Sequence, residues 1–249
     1  MWYKGIIILL LLPLAVLADS YKFGPTIHHD GFMHSGAPTN NFSGPPFSEM
    51  WIYNTSGTTY LNGFSGLDAT WADSIGAGNV IDSMVCTLTI DNALNNADVD
   101  VYYIWKSALS EATVTWADWQ STDNEWGTAG CNNVYDDATW SSHNSTDGGG
   151  YDRTETALTS FSVSDAQTGE FTWRITDGDM LTAIYDAGEQ LIFCFIAETN
   201  DSLKVEGSED ATNFPVYVIY YSSAVTRIDG RLHSPAGNTR LHGGRLHAP

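Results

Sequence analysis

Short segments that alternate apolar and polar residues, or that are apolar throughout, recur along the chain between clusters of Gly, Asn, Asp and Ser. Such segments predict β-strands, and helical stripes of apolar residues are nearly absent. Strands are predicted at 48–53, 58–67, 82–91, 98–106, 170–175, 190–198, 203–206 and 216–221. One short helix is predicted at 180–185. Because helices do not alternate with the strands, the pattern predicts an all-β fold, a single antiparallel jelly-roll β-sandwich over residues 19–222.

The first 18 residues have the pattern of a secretory signal peptide. Lys4 precedes an apolar run at 5–17, and Val16 and Ala18 occupy the −3 and −1 positions of a signal-peptidase site. The run is too short to cross a hydrocarbon core of about 30 Å. We therefore predict a secreted, extracellular protein with no membrane span after cleavage. A short anchor that is never cut is the alternative.

The charge of the chain is strongly negative and unevenly distributed. Ten Lys and Arg stand against 30 Asp and Glu, which gives a net charge of −20. A surface of this sign argues against nucleic acid as a partner, because phosphate groups require a basic face. Residues 223–249 differ, because they contain four Arg and a single Asp.

This basic tail contains the tripeptide Arg-Leu-His three times. One interpretation is a flexible tail that offsets the acidic body. We favour the other interpretation, in which the repeat docks onto the acidic surface of a neighbouring copy or onto an anionic polymer. The predicted docking residues are Arg231, His233, Arg240, His242, Arg245 and His247.

Three cysteines allow at most one disulfide within the chain. Cys86 and Cys194 lie in apolar segments that predict core strands, whereas Cys131 follows Gly130 in a loop. Either Cys86 and Cys194 form a disulfide, or both are buried free thiols; Cys131 is expected to be free. No spacing of Cys and His fits a structural zinc site.

Several segments together resemble one known family. The most specific is Glu-Ala-Thr-Val-Thr-Trp at 111–116, accompanied by the strand at 80–90, Glu-Gly-Ser-Glu at 206–209 and the closing segment 214–221. Over residues 21–221 the chain resembles the DNRLRE, or disaggregatase-related, domain, which is also classed among carbohydrate-binding modules. It departs from the family at 60–64, where an Arg usually opens the strand. The resemblance implies a secreted or cell-surface jelly roll, calcium-stabilised in some members, that binds polysaccharides such as alginate.

The stretch 120–156 contains many Gly and aromatic residues and no predicted strand. A loop of this length inside a compact domain is often functional, and its aromatic residues favour an ordered loop. Sugar rings stack on Trp and Tyr, so we predict a polysaccharide site here. Its residues are Trp119, Trp126, Trp140, Tyr151 and Arg153. Core packing is an equally good interpretation for Trp126 and Trp140, and Trp105 and Trp116 are expected to be core residues.

Calcium is the predicted cofactor, because acidic pairs in the same stretch offer hard oxygen ligands, although none has EF-hand spacing. The predicted ligands are Asp123, Glu125, Asp136 and Asp137. Three histidines near the predicted mature N-terminus could also bind a metal, but we expect them to be solvated surface residues. They are His28, His29 and His34.

Enzyme signatures such as Gly-x-Ser-x-Gly, His-Glu-x-x-His and the phosphate-binding loop do not occur in the sequence. The sequence therefore predicts a secreted, non-catalytic protein that binds a polysaccharide or a cell-surface glycan. A neutral polymer is physically easier than a polyuronate, which the negative body would repel. The alternative is a structural or adhesive subunit of an extracellular fibre, surface layer or virus particle, which self-assembles through sandwich faces and the basic tail.

Overall fold

We describe the fold from a computed structural model of the chain. It describes residues 18–43, 49–55, 59–106, 109, 111–118, 126, 128–134, 151–198, 201–210 and 212–223, together with the backbone of 226–228 and 231–233. All but the last residue of the predicted signal peptide, and most of the basic tail, lie outside these residues.

Within the described residues the chain forms thirteen strands, two α-helices and one 3-10 turn. The strands are β1 (Asp19–Phe23), β2 (His28–His34), β3 (Glu49–Thr55), β4 (Thr59–Leu67), β5 (Asn79–Leu94), β6 (Asp98–Tyr103), β7 (Thr159–Ser162), β8 (Gly169–Ile175), β9 (Leu191–Ala197), β10 (Ser202–Glu206), β11 (Val216–Ser223), β12 (Thr226–Ile228) and β13 (Arg231–His233). The helices are α1 (Trp71–Ile75) and α2 (Gly178–Ala187), and the 3-10 turn is Pro25–Ile27.

Eleven of these strands form one antiparallel sheet. Its order is β1-β11-β5-β10-β3-β4-β9-β6-β7, with β2 added to β4 and β8 added to β5. The sheet curls into a half-barrel, so that its two ends become opposing layers around a main core. The predicted all-β antiparallel fold with a sandwich-like core is confirmed. Its two layers belong to one continuous sheet, because β10, β3 and β4 connect them.

Strand β5 shows how the sequence pattern produces the main core. Met84, Cys86, Leu88 and Ile90 are buried, and the residues between them are only half-buried. This is the period of two that places alternate side chains on opposite faces of a strand. β5 pairs with β11, β8 and β10 along its length, which makes it the central strand of its layer.

Strand β9 is buried on both faces. Phe193 and Phe195 pack into the main core, whereas Ile192 and Cys194 belong to a second cluster on the other side of the sheet. The segment 191–197 is apolar throughout for this reason, because neither face meets solvent.

The second cluster lies between the sheet and a segment that we call the covering loop, residues 109, 111–118, 126 and 128–134. The loop contributes Leu109, Val114, Trp126 and Cys131. Met33, Phe64 and Ile104 join the two residues of β9 on the opposite side. Within the stretch 120–156, residues 126 and 128–134 therefore belong to a layer packed over the sheet.

The predicted helix is confirmed as α2, which extends beyond residues 180–185 at both ends. Asp177 Oδ1 accepts a hydrogen bond from the Met180 N–H at 3.0 Å and caps the first turn. Gly188, at φ 68°, ends the helix in the left-handed conformation. The buried face of α2, which includes Leu181 and Ile184, packs against β5.

All three cysteines are buried free thiols. Cys86 lies in the main core and Cys194 in the second cluster, so the sheet separates them. This fold therefore does not allow the Cys86–Cys194 disulfide that the sequence left open. Cys131 carries a free thiol in this structure, and its side chain is enclosed by the covering loop and the sheet.

Candidate metal centre

Three carboxylates from distant parts of the chain meet at one point. Asp30 lies on β2, Glu111 lies in the covering loop, and Glu209 lies in the turn between β10 and β11. One carboxylate oxygen from each side chain lies within 4.8 Å of the other two. We call this group the carboxylate cluster.

Asp30 is the enclosed member of the carboxylate cluster. It pairs with Ser65 of β4 and is only 2% exposed. The Ser208 N–H donates a hydrogen bond to Asp30 Oδ2 at 2.6 Å. This bond holds the β10–β11 turn against β2 and brings Glu209, the next residue in the turn, beside Asp30.

Two polar side chains from the segment after β2 position Glu111. Asn41 Nδ2 donates to the Glu111 carbonyl and to the Val114 carbonyl, both at 2.8 Å. The Ser43 hydroxyl also donates to the Glu111 carbonyl. The segment approaches β2 closely at Gly31, where φ is +151° and an added Cβ would overlap the Ser43 side chain. Glycine is therefore needed at position 31.

Burial and the neighbouring carboxylates disfavour charge on Asp30 and Glu209 of the carboxylate cluster. Burial raises the pKa of Asp30 to about 7, and the neighbouring Glu209 and Glu111 carboxylates add to the effect. The pKa of Glu209 also rises to about 7, chiefly through burial, with a further contribution from Glu111. Glu209 Oε2 is buried without a hydrogen-bond partner among the described residues. Without a cation, Asp30 and Glu209 therefore retain protons near neutral pH.

The chemistry of this arrangement suits a hard cation. Carboxylate oxygens are the ligands that Ca²⁺ and Mg²⁺ prefer, and a divalent ion would cancel the repulsion between the three side chains. It would also give Glu209 Oε2 the partner that it lacks within the described residues. His29 Nδ1 lies 3.4 Å from Glu111 Oε2 and adds an imidazole at the edge of the cluster. The carboxylate cluster can thus hold a metal ion.

These ligands differ from the residues that the sequence predicts. The predicted calcium ligands Asp123, Glu125, Asp136 and Asp137 lie outside the described residues. Glu111 and Glu209 belong to the segments that carry the family resemblance, so a signal for them was present in the sequence. Asp30 had no such signal, because it lies in a polar segment that was not predicted as a strand.

The expectation that the early histidines are solvated is wrong for His28. Its ring is buried beside Phe214 and Tyr217, with ring centroids 6.1 and 5.3 Å away. Neither ring nitrogen has a hydrogen-bond partner among the described residues. Burial lowers the pKa of His28 to about 4, so the ring is neutral at physiological pH. His34 is half-buried, and its Nδ1 accepts the Gly36 N–H at 2.9 Å.

The structure describes one of the three predicted sugar-binding tryptophans. Trp119 and Trp140 lie outside the described residues. Trp126 is 5% exposed in the second cluster, and its Nε1 donates to the Thr115 carbonyl at 2.9 Å. In this structure Trp126 takes the core position that was its alternative interpretation, and its ring is not open to a sugar. Tyr151 is 37% exposed and can offer a ring face.

Arg153, the fifth predicted sugar-binding residue, makes contacts inside the protein. Its Nε donates to the Cys131 carbonyl at 3.0 Å, and its Nη1 donates to the Thr154 carbonyl at 2.8 Å. The guanidinium carbon lies 3.9 Å from the centroid of the Tyr102 ring on β6. Arg153, two residues after the exposed Tyr151 in the chain, therefore joins the covering loop to the sheet.

The tryptophans expected in the core behave in two ways. Trp105 is buried in the main core beside Tyr103, with ring centroids 5.5 Å apart. Trp116 is half-buried at the edge of the second cluster and stacks on Tyr60 at 6.3 Å. The Trp105 prediction is confirmed, and Trp116 packs onto the core with part of its ring accessible.

The basic tail is described only at its beginning. The backbones of β12 and β13 pair as an antiparallel hairpin, and Arg231 and His233 are the first and last residues of β13. The other predicted docking residues, Arg240, His242, Arg245 and His247, lie outside the described residues. Docking through the tail stays a prediction.

No protein-family model matches the chain, and no curated protein matches it. The resemblance to the DNRLRE domain therefore stays a prediction that rests on the sequence segments of this chain named above. In the part of the chain that the structure describes, no helix has the length and apolar character needed to cross a membrane.

Proposed function

We propose that this protein is a non-catalytic, polysaccharide-binding protein of the extracellular space in which a calcium ion at the carboxylate cluster holds the covering loop in place. The proposal rests on the convergence of three carboxylates within 4.8 Å. Glu111 belongs to the covering loop, whereas Asp30 and Glu209 belong to β2 and the β10–β11 turn. An ion bound by all three would crosslink the loop to the sandwich.

Calcium is the cation that fits a secreted protein of this kind. Ca²⁺ accepts six to eight oxygen ligands in flexible geometry, whereas Mg²⁺ demands a near-ideal octahedron at shorter distances. Extracellular modules bind Ca²⁺ with dissociation constants of about 10⁻⁴–10⁻³ M. A cluster in which Asp30 and Glu209 must release protons near pH 7 suits this range, because proton release lowers the apparent affinity.

A ligand with sugar rings is supported by the aromatic side chains around the covering loop. Tyr151, two residues before Arg153 in the chain, is exposed, and Tyr60 stacks on the partly accessible ring of Trp116. The apolar faces of pyranose rings pack on such aromatic surfaces, and polar tips then bond to the hydroxyls. With a net charge of −20 the chain favours a neutral polysaccharide over a polyuronate.

The burial of Asp30 in the carboxylate cluster favours binding over catalysis. A pair of carboxyls that hydrolyses a glycosidic bond must flank a sugar chain that enters from solvent. Asp30 is 2% exposed and is hydrogen-bonded to the backbone of the β10–β11 turn. A side chain in this position suits an enclosed ion better than a polymer substrate.

The calcium site is tested by titrating the purified full-length protein with CaCl₂ in a calorimeter after treatment with EDTA. The parent protein should bind calcium, and Glu209→Gln should weaken binding at least tenfold because one ligand loses its charge. Glu170→Gln, which changes an exposed carboxylate on β8, is the matched control and should bind like the parent. A parent without a binding signal, or a Glu209→Gln variant with parental affinity, would contradict the proposal.

Polysaccharide binding is tested by retention on a panel of neutral and anionic polymers, with calcium and with EDTA. Retention on one polymer in calcium should fall in EDTA and in Tyr151→Ala, whereas Tyr21→Ala, an exposed aromatic residue on β1, should be retained. Light scattering on the same samples measures self-association. Assembly of the chain without retention on any polymer would instead support a structural or adhesive subunit.

A further inference from the structure

Cys131 and Cys194 meet inside the second cluster. Cys194 lies on β9 opposite Tyr102 of β6, and Cys131 lies in the covering loop above it. Both side chains are fully buried in the second cluster, where burial, and then the neighbouring Cys194 thiol, raise the pKa of Cys131. Cys86 is on the other side of the sheet, in the main core, where it pairs with Tyr217 of β11. Among the three cysteines, Cys131 and Cys194 are therefore the pair positioned for a crosslink.

The backbone around Cys131 is held on both sides. Asn62 Nδ2, from β4, donates to the Gly130 carbonyl at 2.8 Å, and Arg153 Nε donates to the Cys131 carbonyl at 3.0 Å. Gly130 and Cys131 both have positive φ angles, of 78° and 65°. Two consecutive residues in this region make a sharp turn, which an L-residue such as Cys131 adopts only when its surroundings enforce it. The turn fixes Cys131 beside β9.

We propose that Cys131 and Cys194 are a disulfide site, oxidised as the protein matures, that fastens the covering loop to β9. One cysteine thiolate attacks a small-molecule disulfide, such as oxidised glutathione, and forms a mixed disulfide while one glutathione thiolate leaves. The second cysteine then attacks the mixed disulfide and releases the other glutathione thiolate. Two electrons pass to the glutathione disulfide, and the two protons of the cysteines end on the two glutathione thiols.

The disulfide would form during folding, before the covering loop closes over the two thiols. The pair is sealed inside the second cluster, and burial raises the pKa of Cys131, so the closed protein offers little thiolate to an oxidant. Before the covering loop closes, both thiols are accessible. The bond would join positions 131 and 194 and would act apart from the carboxylate cluster, which holds the loop at Glu111. It rests on the proposed function only for the oxidising, extracellular setting, and it is independent of calcium and polysaccharide binding.

The test counts free thiols. Full-length protein is unfolded in urea with a reductant, refolded in a buffer of oxidised and reduced glutathione, then unfolded again without reductant and alkylated with N-ethylmaleimide. We expect one adduct per chain, on Cys86, and a crosslinked peptide that contains Cys131 and Cys194 by mass spectrometry. Prior reduction should restore three adducts. Three adducts without reduction, a bridge that contains Cys86, or persistent glutathione on both cysteines would overturn the proposal.

Two variants assign the bond, and a second source of protein guards against failed refolding. Cys86→Ala should give no adduct, and Cys194→Ala should give two. Reductant should lower the melting temperature of the parent and of Cys86→Ala, but not of Cys194→Ala. The same thiol count is made on protein secreted by expressing cells, so that the result stands even where refolding in vitro is poor. Three adducts in the secreted protein would overturn the proposal.

Discussion

Lys106 Nζ lies 3.5 Å from Asp152 Oδ1, and both side chains are closed off from solvent. Asp152 Oδ2 accepts two backbone N–H groups of the covering loop, from Thr128 at 3.0 Å and from Asn133 at 2.9 Å. Lys106 follows β6, so this buried ion pair connects the end of a sheet strand to the last part of the covering loop. Removal of one charge would leave the other one buried and unbalanced.

Lys106→Met should therefore destabilise the protein by about 3–5 kcal/mol, the usual loss when one partner of a buried pair is removed. Equilibrium unfolding in urea measures the difference. Lys22→Met, which changes an exposed lysine on β1, should stay within about 0.5 kcal/mol of the parent. A loss below about 1 kcal/mol in Lys106→Met would show that Asp152 does not need the ammonium group.

The raised pKa values in the carboxylate cluster should make the stability of the protein depend on pH. Calcium should counteract this dependence. In the unfolded chain Asp30 and Glu209 ionise near their ordinary pKa values of 3.8 and 4.5, whereas in the folded protein both pKa values are about 7. The folded state therefore binds more protons between about pH 4 and pH 7. In EDTA, the free energy of unfolding should therefore decrease as pH rises through that window, because the bound protons that favour the folded state are released.

Calcium should oppose this loss, because the ion binds the ionised carboxylates and competes with their protons. Its affinity should fall as pH decreases below about 7, and the stabilisation by calcium should be larger at pH 8 than at pH 5.5. Urea unfolding at both pH values, with CaCl₂ and with EDTA, measures the effect. Equal stabilisation at the two pH values would contradict the assignment of the ion to the carboxylate cluster.

Much of the sandwich could be predicted from the sequence, because its strands show their burial in their periodicity. β5 alternates and β9 is apolar throughout, and both were predicted. β1 was missed because only Phe23 of its five residues is buried, so this edge strand shows no alternation of apolar and polar residues. α1 was missed because five residues are too few to establish a helical period.

β2 was missed for a reason that concerns the site itself. Its buried positions include His28 and Asp30, and a periodicity argument expects apolar residues at such positions. The candidate site escaped prediction for a second reason. Asp30, Glu111 and Glu209 are each at least 80 residues from the next in sequence, so only the pairing of β2 with β4 and the closure of the covering loop bring them together. The burial of Trp126 is equally non-local.

His28→Phe should stabilise the protein, and more strongly at low pH. The buried ring has two nitrogens without hydrogen-bond partners among the described residues, whereas Phe would pack against Phe214 and Tyr217 with no polar group to satisfy. We expect a gain on the order of 1 kcal/mol at pH 7.5.

The gain should increase as pH falls below 6.5, because an unfolded histidine then binds a proton that folded His28, with a pKa of about 4, does not bind. The difference between parent and variant, measured by urea unfolding at pH 5 and pH 7.5, isolates this residue from the carboxylates. The half-buried His34, changed to Phe, is the control and should lack the gain. A gain for His28→Phe that does not grow at pH 5 would contradict a neutral, buried ring.

Gly31→Ala should affect both the fold and calcium binding. The new Cβ would overlap the Ser43 side chain, and Ser43 and Asn41 hold the Glu111 carbonyl. The segment must move away from β2, so we expect a loss of about 1–3 kcal/mol in stability and at least a fivefold loss in calcium affinity. Gly24→Ala is the matched control, because no atom lies within 4 Å of its Cβ position. A Gly31→Ala variant that loses stability but binds calcium like the parent would show that Glu111 does not contribute to the ion.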